Sequence, residues 1–250
     1  MSFSAAVSVF FDQFWAILPS LLLRFMGAWA LTFVMVIYTI LWLKKHIRPH
    51  VLRADTNIRD WAKTLRYHDE TDTGPGAAER HIRTWFFRFW TNFSSAPSLS
   101  VISVLVPVMA HWQLSSGEPQ SLLATRIYML PGLSYAGSIL LSFVSKRIFK
   151  RVRPERPSGA FGHKLKDGSF PSGHSLTSLA FWIMLAVATA IFGAPLWVCI
   201  LLSLAAFFTI VLTGLSRIYL GVHFPSDVLG GYSIGLIWCF VCYFVVRPVL

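Results

Sequence analysis

The sequence predicts an all-α protein: a polytopic membrane helix bundle of about six transmembrane helices, with amphipathic helices at the interface. Three observations predict it. First, 55% of the 250 residues are hydrophobic and only 13% are charged, where a soluble domain carries about 25% charged residues. Second, the six runs 25–43, 93–112, 127–145, 175–193, 194–215 and 228–246 each lack Lys, Arg, Asp and Glu. About 20 apolar residues cross a bilayer as a helix. Third, six alternating spans divide the loops between two faces, and 19 of the 22 Lys and Arg residues fall on one of them.

The chain is read as one membrane domain over 1–250, opening with an N-terminal interfacial segment, 1–24. A cleaved leader is not expected there. The start has no basic region, Asp12 interrupts the apolar stretch, and no small-residue cleavage site follows. Phe3–Leu18 is expected either as an interfacial helix or as a lengthening of the first span beyond Pro19. The segment 44–92 is too long for a connector and reads as an amphipathic collar on the membrane surface. Between Asp55 and His68, Ile58, Trp61 and Leu65 recur at helical spacing beside a basic stripe of Arg59, Lys63 and Arg66. Thr71–Gly76 reads as a turn. Glu79–Phe93 then interleaves Trp85, Phe86, Phe87, Phe89 and Trp90 with Arg83 and Arg88, a composition suited to lipid headgroups.

Gly193-Ala194-Pro195 breaks the fourth run from the fifth. Cys199, Cys239 and Cys242 all lie inside spans and read as packing residues. His46, His50, His68 and His81 read as collar surface, His111 beside Trp112 as an interfacial anchor, and His163 as a loop residue. The formal charge of +11 is gathered where lipid headgroups lie, so the expected partners are the bilayer and an anionic membrane lipid, with no nucleic acid.

Three motifs share the basic face, within a core at 127–247. Lys146-Arg147-Ile148-Phe149-Lys150-Arg151-Val152-Arg153-Pro154 leaves the third span. Phe170-Pro171-Ser172-Gly173-His174 enters the fourth: Ser172 is a natural N-cap, and Gly173 lets an anion approach the free amides of the first helical turn. Ser216-Arg217, His223, Pro225 and Asp227 join the fifth span to the sixth. Asp227 lies one helical turn beyond His223, within reach of one ring nitrogen, which would fix the tautomer and raise the basicity of the other. The third span ends, the fourth begins and the fifth ends on the same face, so the three motifs can converge. Together they offer Lys146, Arg153 and Arg217 for a phosphate, helix-start amides for its oxygens, and two histidines of different character.

With these residues, the sequence resembles the type 2 phosphatidic acid phosphatase superfamily of membrane lipid phosphatases, whose signature is K-x6-RP, PSGH and SR-x5-H-x3-D. Lys146 to Arg153-Pro154 matches the first part, Pro171–His174 the second, and Ser216-Arg217, His223 and Asp227 the third. The resemblance implies that 127–247 is a catalytic core in which His223 attacks phosphorus and Asp227 orients it. His174 would then protonate the leaving oxygen and later activate water. Lys146, Arg153, Arg217, Ser172 and Gly173 would hold the non-bridging oxygens, with no metal and no cofactor. Phosphatidic acid, phosphatidylglycerophosphate, undecaprenyl diphosphate and lipid A phosphates all fit such a site. The compact loops resemble the phosphatidylglycerophosphate and undecaprenyl diphosphate phosphatases most.

Other classes use the same residues differently. A lipid phosphotransferase would discharge the phosphohistidine to a second lipid. Vanadium-dependent haloperoxidases share the phosphate motifs but are soluble, and a non-catalytic lipid-binding or transport protein would not need His174, His223 and Asp227. A multi-pass protein of a bacterial inner membrane is expected. The basic excess places the motif face in the cytoplasm, whereas the resemblance places it on the periplasmic side, and the latter is preferred.

Overall fold

The computed structural model describes residues 3–46, 48–65, 74–113, 119–154 and 167–245. Eight helices follow in order: α1 Phe3–His46, α2 Arg48–Thr64, α3 Ala77–Phe93, α4 Ala96–Gln113, α5 Pro119–Phe149, α6 Gly173–Ile191, α7 Leu196–Tyr219 and α8 Pro225–Val245. There is no strand among the described residues.

Helix α6 is the centre of the bundle and packs against α5, α7 and α8. Its Leu176, Ala180, Phe181 and Ala188 are fully buried. Trp238 of α8, also fully buried, donates its indole N–H to the Ser134 carbonyl of α5 at 2.7 Å, which satisfies its one polar atom inside the apolar core. The outer faces of α1 and α7 instead present Leu23, Tyr38, Leu196, Trp197 and Phe207, as lipid-facing helices do.

Five helices are long and apolar enough to cross a membrane on their own: α1 over Leu18–Tyr38, α5 over Leu123–Phe149, α6, α7, and α8 over Pro225–Phe244. The sixth expected span, 93–112, differs. α4 starts at Ala96 and passes the same test only together with α3, from which it is bent by 49°. The bend falls at Ser94-Ser95, just before Pro97. Buried Ser94 ties the elbow down, accepting from Thr213 of α7 at 2.8 Å and from Ser178 of α6 at 3.3 Å.

α1 continues through Pro19 without a break. Its 44 residues extend about 66 Å at 1.5 Å per residue, over twice the roughly 30 Å hydrocarbon core. Phe3–Leu18 forms its N-terminal part, where Ala6 and Phe10 pack on Val108 of α4 and Met129 of α5.

In the collar, α2 begins at Arg48 rather than near Asp55. Ile58 and Trp61 face outward, while Asp55 and Ala62 are the buried pair. His81 is exposed, as expected for the collar. His111, expected as an interfacial anchor, is instead 2% exposed within α4 while Trp112 takes the surface. Cys239 and Cys242 are buried free thiols and Cys199 is a partly buried one. His68 and His163 lie outside the described residues.

The crossing of α8 over α6 leaves no room for a side chain at Gly231. A Cβ there would meet the Ser172 carbonyl oxygen at 2.7 Å and the Ser175 Cβ at 3.1 Å. Gly231→Ala should therefore push α8 off the start of α6 and destabilise the protein by about 1–3 kcal/mol, as overpacking does. Thermal unfolding in detergent checks this, and an unchanged midpoint contradicts it.

Candidate active site

Each motif sits where a helix begins or ends, and all three meet at one end of the bundle. Lys146 lies in the last turn of α5, and Arg153 follows it in an irregular segment. Ser172 caps α6, its hydroxyl accepting from the Ser175 amide at 3.5 Å and from the Ser175 hydroxyl at 2.9 Å. Arg217 ends α7, His223 occupies the turn after it, and Asp227 lies in the first turn of α8. The Ser172 amide donates to the Asp227 carbonyl at 2.9 Å, so the α6 start and the α8 start are fastened directly to each other.

The imidazole–carboxylate pair is buried. The His223 side chain is 2% exposed and that of Asp227 0%, with Nδ1 3.5 Å from Oδ2. That distance is long for a strong hydrogen bond, as such pairs often are before substrate binds. Asp227 is held in place by others: the Phe224 amide donates to Oδ2 at 2.9 Å and Arg151 Nη1 to Oδ1 at 2.7 Å. On the other side of the ring, Arg153 Nη1 lies 3.2 Å from His223 Nε2. A guanidinium only donates, so Nε2 is the lone-pair nitrogen and the proton rests on Nδ1, toward Asp227. Burial, and then the charges of Arg217 and Arg153, push His223 down to about 4 against the opposing pull of Asp227. The ring is therefore neutral at pH 7, with the Nε2 lone pair turned toward Arg153. A histidine-selective NMR titration should find this ring titrating near 4. A midpoint near the ordinary value of about 6.5 contradicts that geometry.

The cations converge as well. Lys146 and Arg153 both hold Asp167: Lys146 Nζ reaches Oδ2 at 2.5 Å and Arg153 Nη2 reaches Oδ1 at 2.8 Å. Burial raises the Asp167 carboxyl, but hydrogen bonds from Lys146 and Arg153 outweigh it and hold the group below its usual range. A Cβ built on Gly173 would lie 3.8 Å from Lys146 Nζ, so the bare helix start and the lysine lie side by side. Arg217 is 6% exposed and donates to Thr91 of α3 at 3.4 Å. Partly buried His174 feels the charges of Arg217, His223, Lys146 and Arg153. The result is a cluster of cations beside a neutral imidazole. Asp167 bridges two of its cations much as two oxygens of a phosphate would.

Four residues in contact with this site were not singled out from the sequence. Arg151 was hidden among equivalent basic neighbours, and Ser226 inside the third motif. Nothing in the sequence distinguishes Asp55 and Asp167, because nine of the 11 acidic residues fall on the cationic face.

A cationic cluster, a capped helix start and an imidazole–carboxylate pair thus meet at one end of a membrane helix bundle. The chain belongs to the PAP2 superfamily, whose profile matches residues 127–249. An undecaprenyl-diphosphatase of Sulfolobus acidocaldarius is 34% identical over 41% of this chain and 47% of its own length. Phosphatidylglycerophosphatase B of Bacillus subtilis is 37% identical over 41% of this chain and 49% of its own. The chain thus spans about half the length of these relatives. A provisionally named undecaprenyl-diphosphatase of Escherichia coli is 32% identical over 59% of this chain and 67% of its own. The crystal structure of a transmembrane PAP2-type phosphatidylglycerolphosphate phosphatase from Bacillus subtilis superposes with a TM-score of 0.65 at 25% identity, covering 88% of this chain and 98% of that one.

Proposed function

We propose that the protein is a metal-independent lipid phosphatase that hydrolyses a phosphomonoester or diphosphate headgroup through a phosphohistidine. Its substrate class would be phosphatidylglycerophosphate, phosphatidic acid or undecaprenyl diphosphate. The observation that carries this reading is the geometry of His223, with Nε2 3.2 Å from Arg153 Nη1 and Nδ1 3.5 Å from Asp227 Oδ2. The substrate phosphate displaces Asp167 from Lys146 and Arg153, and Arg217 and the α6 amides take the remaining oxygens. His223 Nε2 attacks phosphorus as the lipid oxygen leaves with a proton from His174. Water, deprotonated by His174, then attacks the phosphohistidine and returns His223 to its neutral form. The three cations supply the positive charge that a metal would otherwise bring.

A panel of those lipids, with free phosphate measured from purified protein, tests the reading. Release should survive excess EDTA. Loss of release on chelation, restored by a divalent cation, contradicts the metal-free part.

The site would face the outer side of a bacterial inner membrane. The relatives named above from Bacillus subtilis and Escherichia coli support the bacterial setting. Some of the basic charge on this face is engaged in building the site: Lys146, Arg151 and Arg153 are paired with Asp55, Asp167 and Asp227. These three are therefore poor indicators of a cytoplasmic face. With six spans, a C-terminal reporter fusion should report a cytoplasmic terminus, and an external one would move the site inside.

A further inference from the structure

Asp55 belongs to the collar helix α2, outside the family-matched region 127–249, yet it is built into the site. It is 2% exposed. Its Oδ1 accepts the Ser226 amide at 2.9 Å, and its Oδ2 accepts the Ser226 hydroxyl at 2.5 Å and Arg151 Nη2 at 2.6 Å. The same guanidinium turns its Nη1 to Asp227 Oδ1 at 2.7 Å and to the Ser226 hydroxyl at 2.6 Å. One arginine thus stands between two buried carboxylates, one on the collar and one behind the histidine.

We propose that Asp55 is a positioning residue for the reaction: by sharing Arg151 it leaves Asp227 enough negative charge to support His223. The role rests on the phosphohistidine reading given above. Asp55, Arg151 and Asp227 together carry one net negative charge. Close charges in a buried site are only weakly screened, so that charge is felt at the imidazole. It stabilises the positive ring that forms when Nε2 bonds to phosphorus. With an amide at position 55, Arg151 is left to neutralise Asp227 alone, the net charge falls to zero, and the phosphohistidine loses its support. An amide at position 55 keeps one acceptor oxygen, for the Ser226 amide, but sets an NH2 where Oδ2 accepts from Arg151 and the Ser226 hydroxyl, so Asp55→Glu and Arg151→Gln are needed to separate charge from hydrogen bonding. The other groups facing the pair are Arg153, Arg217 and His174, and none of them changes in this comparison.

The experiment compares wild type, Asp55→Asn, Asp55→Glu and the double variant Asp55→Asn/Arg151→Gln. All are purified in the same detergent and matched for folded fraction by thermal unfolding. Asp55→Asn should lower kcat about tenfold or more with KM within about twofold, which is the signature of support lost only in the transition state. Asp55→Glu keeps the charge and should recover most of kcat. The double variant restores one net negative charge and should exceed Asp55→Asn in kcat. A merely structural role predicts that Arg151→Gln leaves the acid limb of kcat/KM where the wild type has it. Should Asp55→Asn fail to fold, Arg151→Gln alone carries the test. It adds negative charge beside the ring, so the acid limb of kcat/KM should move to higher pH, and an unmoved limb overturns the proposal. Wild-type turnover with an Asp55→Asn kcat equal to it overturns the role of Asp55 alone. A wild type that releases phosphate from none of the lipids overturns the functional reading, and this role with it.

Discussion

Replacing His223 with alanine should abolish phosphate release from every lipid tested, by at least about 10⁴-fold, because under the proposed mechanism it removes the atom that would bond to phosphorus. The loss should appear in kcat with little change in binding. Lys146, Arg153 and Arg217 remain in the variant, so inorganic phosphate or a lipid phosphate should still protect the protein against thermal unfolding. Retention of binding is what separates loss of the nucleophile from collapse of the pocket. His223 is buried but small, and the turn around it is held by backbone bonds: the amides of Val222 and His223 both donate to the Arg217 carbonyl. The alanine variant should therefore fold. Full activity in it would remove the basis of the phosphohistidine mechanism.

His174→Gln should have the second largest effect, on the order of 10²–10⁴-fold, the range for a positioned general acid and base. Its size should depend on the leaving group. A lipid alkoxide leaves poorly without a proton, so phosphatidic acid should show nearly the full loss. An aryl phosphate leaves as a stable anion, so formation of the phosphoenzyme from it should be affected much less. Breakdown still needs His174 to activate water, and the variant should accumulate phosphoenzyme from the aryl substrate. Equal losses on both substrates, with no accumulation, would contradict the acid–base role.

Much of the fold was legible because its physics is one-dimensional. A charge-free run of about 20 residues has few alternatives to crossing a bilayer, and five of the six expected runs are spans by themselves. The sixth was less legible. Nothing in the apolar pattern of 93–112 announces that α3 and α4 meet at a 49° elbow pinned by Ser94. Helices also outran their apolar windows. α5 carries Lys146 and α7 carries Arg217 within their last turns, because a cation at a helix C-terminus suits the dipole and reaches the interface.

The motif residues of the site could be read from sequence because their chemistry is particular: Ser and Gly at a helix start, and an acid one turn beyond a histidine. Their supports could not. Asp55 precedes Asp227 by most of the chain, and only the docking of α2 on α7 and α8 brings it to Arg151. In a sequence it is one acid on a basic helix. The outward face of α2 followed from Ile58 and Trp61, but the polar residue facing inward did not, since a buried ion pair has no periodicity.

The central claim is that His223 carries the phosphate during turnover. It is tested most directly by quenching purified protein during turnover of a radiolabelled lipid phosphate and mapping the label. The account predicts an acid-labile, alkali-stable phosphoryl group on the peptide containing His223, absent in His223→Ala. Phosphate release at the normal rate with no label on that peptide, at times resolving a single turnover, would contradict it.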